Sequence, residues 1–422
     1  MGIKNKYLKL LLGLLIIFTA CLQQPRTEEQ IVELAKDIHE HAITLDTHVD
    51  IGRNYATEEL DPGIDNVRLK CDLVKMKKGG MDGVFLAVYV PQRPELNEEG
   101  YQRAREIAEE KFQSIHRLTS EMYPERCELA TFVRDVKRII KSGKKAIMIG
   151  IENGYPIGED LSYLKKYYDL GTRYITLSHN RHNQICDSSS PDEPLHNGLS
   201  DFGKKVVEEM NRLGIMIDVS HISVESFRDV IEYTKAPIIA SHSGCYALNP
   251  HNRNLNDEQL KALVKNGGAI QIIPISSFVK PESPEYRQAM AELWEELELP
   301  ERRALWGMSE EKLDSLRPKL DEFNKIRKEI EKKIPAVNLK DYVDHIDHAV
   351  KIAGIDHVGI GTDFDGGGGL PGFNNHAEAL NVTIELVRRG YSKKDIMKIW
   401  GGNLLRVWQE TEKIAATLKK NN

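Results

Sequence analysis

Residues 200–275 alternate between two patterns. Ser200-Asp201-Phe202-Gly203-Lys204-Lys205-Val206-Val207-Glu208-Glu209-Met210-Asn211-Arg212-Leu213 has helical spacing of apolar residues, and Gly214 follows as a stop. Ile215-Met216-Ile217-Asp218-Val219 is a short, β-branched run and ends in Ser220-His221. The cycle then repeats. Ser223–Thr234 reads as a helix, Pro237–Ala240 as a strand ending in Ser241-His242, Asn256–Lys265 as a helix stopped by Gly267, and Ala269–Ile275 as a strand. Ser223 and Asn256 stand at N-cap positions. Gln259, three residues after Asn256, completes a capping box, whereas Ser226 does not complete one after Ser223.

Working outward, the same strand signal occurs at Ala42–Leu45, Gly83–Val90, Ala146–Ile151, Tyr174–Leu177 and His357–Ile360. Near-continuous apolar strands alternating with amphipathic helices predict parallel strands covered on the outside. Eight such strands close a (β/α)8 barrel of the TIM type. An open doubly wound sheet is the alternative, but no G-x-G-x-x-G joins a strand to a helix. The run Gly366–Gly369 has the wrong spacing and reads as a flexible loop. The long connection from the seventh strand to the eighth, residues 276–340, is charged and helical in pattern, with helices expected over Ser309–Lys319 and Lys319–Lys333. It reads as a helical insertion, either a solvated hairpin or a lid or dimer contact. Asn375–Arg389, Ser392–Ile399 and Asn403–Leu418 read as closing helices. The expected organisation is a leader over 1–20, a tether over 21–29 and one catalytic domain over 30–422.

The chain of 422 residues carries 58 Lys+Arg against 64 Asp+Glu, a net charge of −6. This mild acidity argues for no nucleic-acid partner, since phosphate binding wants a basic surface. At the N-terminus, Lys4, Lys6 and Lys9 precede an apolar run from Leu10 to Ile17, too short to span a bilayer of about 30 Å. Phe18-Thr19-Ala20-Cys21 then resembles a bacterial lipobox. It predicts cleavage before Cys21, lipidation of that residue, and an exported lipoprotein anchored to a membrane of the cell envelope. Cys71, Cys127, Cys186 and Cys245 remain; none is at metal-ligand spacing, and each reads as a buried small hydrophobic residue rather than a disulfide partner.

Polar residues gather where strands end. The segments are Asp46-Thr47-His48-Val49-Asp50, Gly150-Ile151-Glu152, Ser178-His179-Asn180, Asp218-Val219-Ser220-His221, Ser241-His242-Ser243 and Thr362-Asp363-Phe364-Asp365. Barrel enzymes keep their chemistry at that edge. His48 and Asp50, two apart in extended chain, share a side and make half of a metal site. His221 and His242, from neighbouring strands, make a second half, and Glu152 between them can bridge two ions with its two oxygens. Two ions about 3.5–4 Å apart polarise a carbonyl and acidify a bridging water, which suits amide or ester hydrolysis. Zinc is expected; manganese or iron fits the same donors. Asp46 is expected to orient His48.

From Leu45 to Trp408 these stretches resemble the membrane dipeptidase family, also called renal dipeptidases. Asp46-Thr47-His48-Val49-Asp50 is similar to its D-x-H-x-D, Arg173-Tyr174-Ile175-Thr176-Leu177-Ser178-His179-Asn180 to its R-Y-x-T-L-T-H-N, and Asn252-Arg253-Asn254 to its R-N-x segment. Asp218-Val219-Ser220-His221 and Ser241-His242-Ser243 resemble its histidine motifs, and Gly361-Thr362-Asp363-Phe364-Asp365-Gly366 its G-x-D-F-D-G. Glu152-Asn153-Gly154 departs from the usual E-G-G at Asn153. The resemblance implies a dipeptidase with two zinc ions, one held by His48 and Asp50, the other by His221 and His242, with Glu152 bridging. A hydroxide between the ions would attack the peptide carbonyl. His179 would stabilise the oxyanion and bind substrate, Arg253 would grip the substrate carboxylate, and Asp363 would meet the α-amino group and carry a proton to the leaving amine. Asp365 would at most orient Asp363. The family further implies dipeptide substrates with free termini, tolerance of a C-terminal D residue, cleavage of β-lactam-like amides, and a homodimer. Two other readings compete: a different metal-dependent amidohydrolase such as a deaminase or lactonase, and a non-catalytic binding lipoprotein.

Overall fold

The computed structural model describes residues 26–301 and 310–420. The leader, the lipobox and Cys21 lie outside the described residues. Among the described residues, nine strands form one sheet: β1 (Leu45–Asp50), β2 (Gly83–Tyr89), β3 (Cys127–Leu129), β4 (Lys145–Glu152), β5 (Thr172–Thr176), β6 (Met216–Asp218), β7 (Ile239–Ser243), β8 (Ala269–Ile272) and β9 (Val358–Ile360). All pairings are parallel, in the order β1-β2-β4-β5-β6-β7-β8-β9. The ring closes where Val49 bridges Phe364, with the Asp50 amide donating to Phe364 O at 2.9 Å and the Asp363 amide to His48 O at 2.8 Å. This is a nearly closed (β/α)8 barrel. Short β3 is a ninth strand that the hydropathy pattern missed; it pairs only with the start of β4.

Alternation along the strands separates two apolar sets. Val84, Leu86 and Val88 on β2, and Ile147, Ile149 and Ile151 on β4, pack with the surrounding helices. Phe85 and Met148 instead join Leu45, Tyr174, Met216 and Ile239, which Trp408 and Leu404 of the C-terminal helix Asn403–Lys420 cover from one end. Phe85 lies 5.1 Å from Tyr174 and 5.7 Å from Trp408, centroid to centroid. With that end filled by carbon, the polar groups of the strand ends face the other.

Two buried aspartates staple neighbouring strands. Asp46 on β1 accepts the amides of His48 (3.1 Å) and Thr362 (2.9 Å), the Thr362 hydroxyl (2.6 Å) and a contact from His376 Nε2 (2.7 Å). It therefore ties β1 to the chain after β9 and orients His48 through its backbone amide. Asp218 accepts the amides of Ser220 (3.0 Å) and Ser241 (2.8 Å) and the hydroxyls of Thr176 and Ser241, which joins β5, β6 and β7. A buried polar group is costly unless hydrogen-bonded, and each of these carboxylates has four donors.

Several expectations shift. The first strand begins at Leu45 rather than Ala42, because its polar residues are buried inside the ring and lie within the strand instead of after it. The two helices expected in the insertion are one, Glu310–Glu331, with Pro318 inside it; Ser276–Val279 and Pro284–Glu296 precede it. Gly366–Gly369 is no free loop: the amides of Gly366, Gly367 and Gly368 all donate to Asp363 O, at 3.2, 3.1 and 2.7 Å. The cap at Asn256 with its Gln259 box, and left-handed Gly214 and Gly267, are as expected. Cys71, Cys127, Cys186 and Cys245 are buried and unpaired.

Asn153, the departure noted after Glu152, has φ 80, a conformation open to glycine and tolerated by asparagine. Its amide nitrogen donates to Val90 O (3.2 Å) and Gln92 Oε1 (3.3 Å), and its oxygen accepts the Tyr155 amide (3.2 Å) and Asn183 Nδ2 (3.1 Å). The side chain thus fastens the turn that aims Glu152. Asn153→Gly loses those bonds but keeps the backbone; Asn153→Val loses them and strains it. Urea unfolding is expected to place the Val variant about 1–3 kcal/mol below the Gly variant. Equal stabilities would contradict the assignment.

Candidate active site

The strand ends bring His48, Asp50, Glu152, His179, His221, His242 and Asp363 together. Glu152 is at the centre. Its Oε1 lies 3.0 Å from His221 Nε2, 3.4 Å from His242 Nε2 and 3.5 Å from His179 Nε2, and its Oε2 lies 3.6 Å from His48 Nε2. His48 Nε2 is 4.0 Å from both Asp50 Oδ1 and Asp363 Oδ1. Three groups of donors are close enough to share an ion: His48, Glu152 and His242; Glu152, His179 and His221; and His48, Asp50 and Asp363. The geometry therefore adds His179 and Asp363 to the neighbourhood of the five expected ligands.

Hydrogen bonds on the far side of each ring decide which nitrogen is bare. His221 Nδ1 meets Asn180 Oδ1 at 3.2 Å, and an amide oxygen only accepts, so the proton is on Nδ1. The Ser241 hydroxyl donates to Asp218 at 2.6 Å, and its oxygen then accepts from His242 Nδ1 at 2.7 Å. Both Nε2 atoms consequently present lone pairs, 2.9 Å apart, with a carboxylate oxygen beside them. Three Lewis bases so placed repel unless a cation lies among them. His48 Nε2 and Asp50 Oδ1 are buried without a hydrogen-bond partner, a further mark of a cation site. Tyr174 OH holds His48 Nδ1 at 2.8 Å.

Charge agrees with this. Burial opposes a proton on His48, yet Glu152, Asp363 and Asp50 overcome it and raise the imidazole to about 10. Burial and the charge of Glu152 push Asp50 up to about 7, and burial with Asp50 raises Asp363 well above the carboxylate range. Burial and the charge of His48 lower His242 to about 3. Left to itself, the site must recruit protons to offset its carboxylates; divalent cations do so without them. The donors, imidazole nitrogens and carboxylate oxygens, fit zinc.

Strand-end backbone is bent to make these approaches. His221, Asp363 and Asp365 have φ of 70, 52 and 64, left-handed values that cost non-glycine residues energy. Gly366 packs so closely that a Cβ there would lie 2.2 Å from both Asp363 Oδ1 and Asp50 Oδ2. Asp365 does not touch Asp363's carboxylate as an orienting partner; it accepts the amides of Lys70 (2.7 Å) and Cys71 (3.3 Å) and anchors that loop.

Arg253 is only 5% exposed. One of its nitrogens donates to His242 O at 3.2 Å, and its buried Nε has no partner. Burial lowers it to about 10, which leaves it charged at neutral pH. His179 packs between Tyr89 (4.7 Å) and His221 (4.2 Å). Sequence reasoning missed Tyr174, Ser241 and Asn180 as ring partners, and buried Lys111, whose ammonium lies 5.4 Å from the Tyr89 ring. Strand periodicity could have flagged Tyr174, which sits two residues before Thr176 on the same face; nothing local marks Lys111. Two further buried histidines are structural: His345 accepts the Cys245 amide and contacts Val279 O, and His376 contacts Asp46.

Known proteins bear on these features. A model of the membrane dipeptidase family (peptidase family M19) matches residues 32–422. The dipeptidase aclJ of Aspergillus oryzae (strain ATCC 42149 / RIB 40) is 33% identical over 360 residues, 84% of this chain and 73% of that protein. The dipeptidase tcpJ of Claviceps purpurea (strain 20.1) is 32% identical over 351 residues, 82% of this chain and 71% of that one. The crystal structure of the probable dipeptidase PvdM from Pseudomonas aeruginosa, 32% identical, has a TM-score of 0.77 and covers 92% of this chain and 99% of its own. A metallopeptidase from Rhodobacter sphaeroides, liganded with a phosphinate mimic of L-Ala-D-Ala, shares the fold with a TM-score of 0.67 at 23% identity, covering 88% of this chain and 99% of its own. With the family match spanning nearly the whole barrel, the chain belongs to the membrane dipeptidase family and is a metal-dependent dipeptidase.

Proposed function

We propose that the protein hydrolyses dipeptides with free amino and carboxyl termini, using two zinc ions held by His48, Asp50, Glu152, His221 and His242. The observation that carries this is the pair of bare imidazole nitrogens, 2.9 Å apart, beside the Glu152 carboxylate. Bound divalent ions supply Lewis acidity and lower the pKa of a water.

The chain's own residues do the rest. Glu152 sets the spacing of the two halves with its two oxygens. Arg253, buried and charged with a free Nε, receives the substrate carboxylate; arginine is suited to that planar group. Asp363 receives the α-ammonium group and passes a proton to the leaving nitrogen. His179, beside Glu152, donates to the developing oxyanion. An anion grip and an amine grip on either side of the donors measure a substrate two residues long. That favours a dipeptidase over a deaminase or lactonase, which needs neither grip. Lipidation of Cys21 and anchoring to a membrane of the cell envelope complete the proposal; among the described residues, no helix is long and apolar enough to cross a membrane.

Purified protein is expected to contain two zinc ions per chain by elemental analysis and to lose dipeptide hydrolysis on chelation, regaining it with zinc. Ser241→Ala and Tyr174→Phe remove ring partners without touching a ligand, and are expected to weaken zinc binding about 10–100-fold by competition with a chromophoric chelator. N-acetylation of the substrate, or Arg253→Met, is expected to lower kcat/KM by about 30-fold or more, the effect of leaving one partner of a buried charge pair alone; equal rates on acetylated and free dipeptides would favour another amidohydrolase. Cys21→Ala is expected to move the protein from the membrane to the soluble fraction and abolish palmitate labelling.

A further inference from the structure

Two cavities flank the donor cluster. One, about 740 Å³, is bordered by His221 and Arg253. The other, about 850 Å³, lies between the insertion and the turn after β9. Gly367 borders this second cavity and lies close to the cluster: a Cβ at that position would lie 3.9 Å from Asp363 Oδ2 and 3.5 Å from Ile275 Cδ1, and Ile275 also lines the cavity. The dipeptidase reading above, on which this inference rests, sets the polarity of the substrate. The carboxyl-terminal residue lies by Arg253 and the amino-terminal residue by Asp363. The cavity beside Asp363 therefore faces the side chain of the amino-terminal residue.

Its walls say what that side chain is. Tyr286, Met290, Trp294 and Leu299 come from the helix Pro284–Glu296 and the turn after it, and Phe323 from the helix Glu310–Glu331. The Trp294 and Phe323 rings meet edge-on at 5.1 Å. The cavity on the Arg253 side has a single aromatic lining residue, Tyr246. Charges around the larger cavity balance, Lys70, Arg287 and Arg327 against Glu282, Glu295 and Glu301, so no net sign selects the ligand. Its volume exceeds the need of any standard side chain, so size is not limiting on this side. Aromatic walls reward planar apolar groups, and apolar pockets discriminate about 10-fold or more per methylene.

We propose that the described parts of the insertion, residues 276–301 and 310–336, form a specificity pocket for a large aromatic side chain on the amino-terminal residue of the dipeptide. The zinc-loaded full chain is assayed with Trp-Gly, Phe-Gly, Ala-Gly and Gly-Trp. Trp-Gly and Phe-Gly are expected to exceed Ala-Gly at least tenfold in kcat/KM, and Gly-Trp to lack the advantage. Ala291→Trp, on the exposed side of the same cavity, narrows it. It is expected to lower the ratio of kcat/KM for Trp-Gly over Ala-Gly at least fivefold, mainly through KM, with the thermal transition checked for folding. Turnover of Ala-Gly with no preference for aromatic residues, or an unchanged ratio in the folded variant, overturns this pocket alone. Absence of turnover on every dipeptide overturns the functional reading and the pocket with it.

Discussion

The Glu152 carboxylate, buried at the mouth of the barrel and faced by imidazole nitrogens, is the constraint on which the site depends. A buried anion is costly unless it is compensated. Asp46 and Asp218 meet that demand with backbone amides and hydroxyls, and so serve as staples between strands. Glu152 has no such set of donors. Around it are nitrogens already committed, through their far sides, to presenting lone pairs. The same barrel end thus holds carboxylates of two kinds, those given donors that tie strands together and one faced instead by bare imidazole nitrogens.

That distinction explains where the backbone is strained. His221 after β6 and Asp363 and Asp365 after β9 adopt left-handed φ, and Asn153 does so directly after Glu152. Each is held by its surroundings: Asn153 by four side-chain bonds, Asp363 by the three amides that converge on its carbonyl. Strain of this kind persists only when packing over-determines it. Here the filled end of the barrel, sealed by Trp408, supplies a rigid base, and the bent exits aim side chains at one point.

The helical insertion adds a second level of organisation. It has its own small apolar cluster around Tyr286, Met290, Leu293 and Phe323, apart from the barrel core. Tied to the barrel through residues next to the site, it can vary the walls of a cavity without disturbing the donors. The donor cluster and the cavity walls are therefore carried by separate parts of one chain, as is usual where loops decorate a barrel.

Much of this was legible in the linear order of residues. Strand and helix periodicities with glycine stops specified eight barrel strands, and polar residues at strand ends named the five donors, because both signals are local. What stayed hidden depends on distant neighbours. The first strand was misplaced since Asp46, His48 and Asp50 look like loop residues to a hydropathy rule. The ring partner of His48 was missed, since Tyr174 is 126 residues away and meets it only in the folded barrel. Asp218 and Ser241 act on His242 only once β6 and β7 lie side by side. Sequence alone determined which chemical groups are present and that a barrel would gather them. Only the tertiary structure decided which nitrogen of each imidazole is bare and which carboxylate is left without donors, because those outcomes depend on hydrogen bonds between strands far apart in the chain.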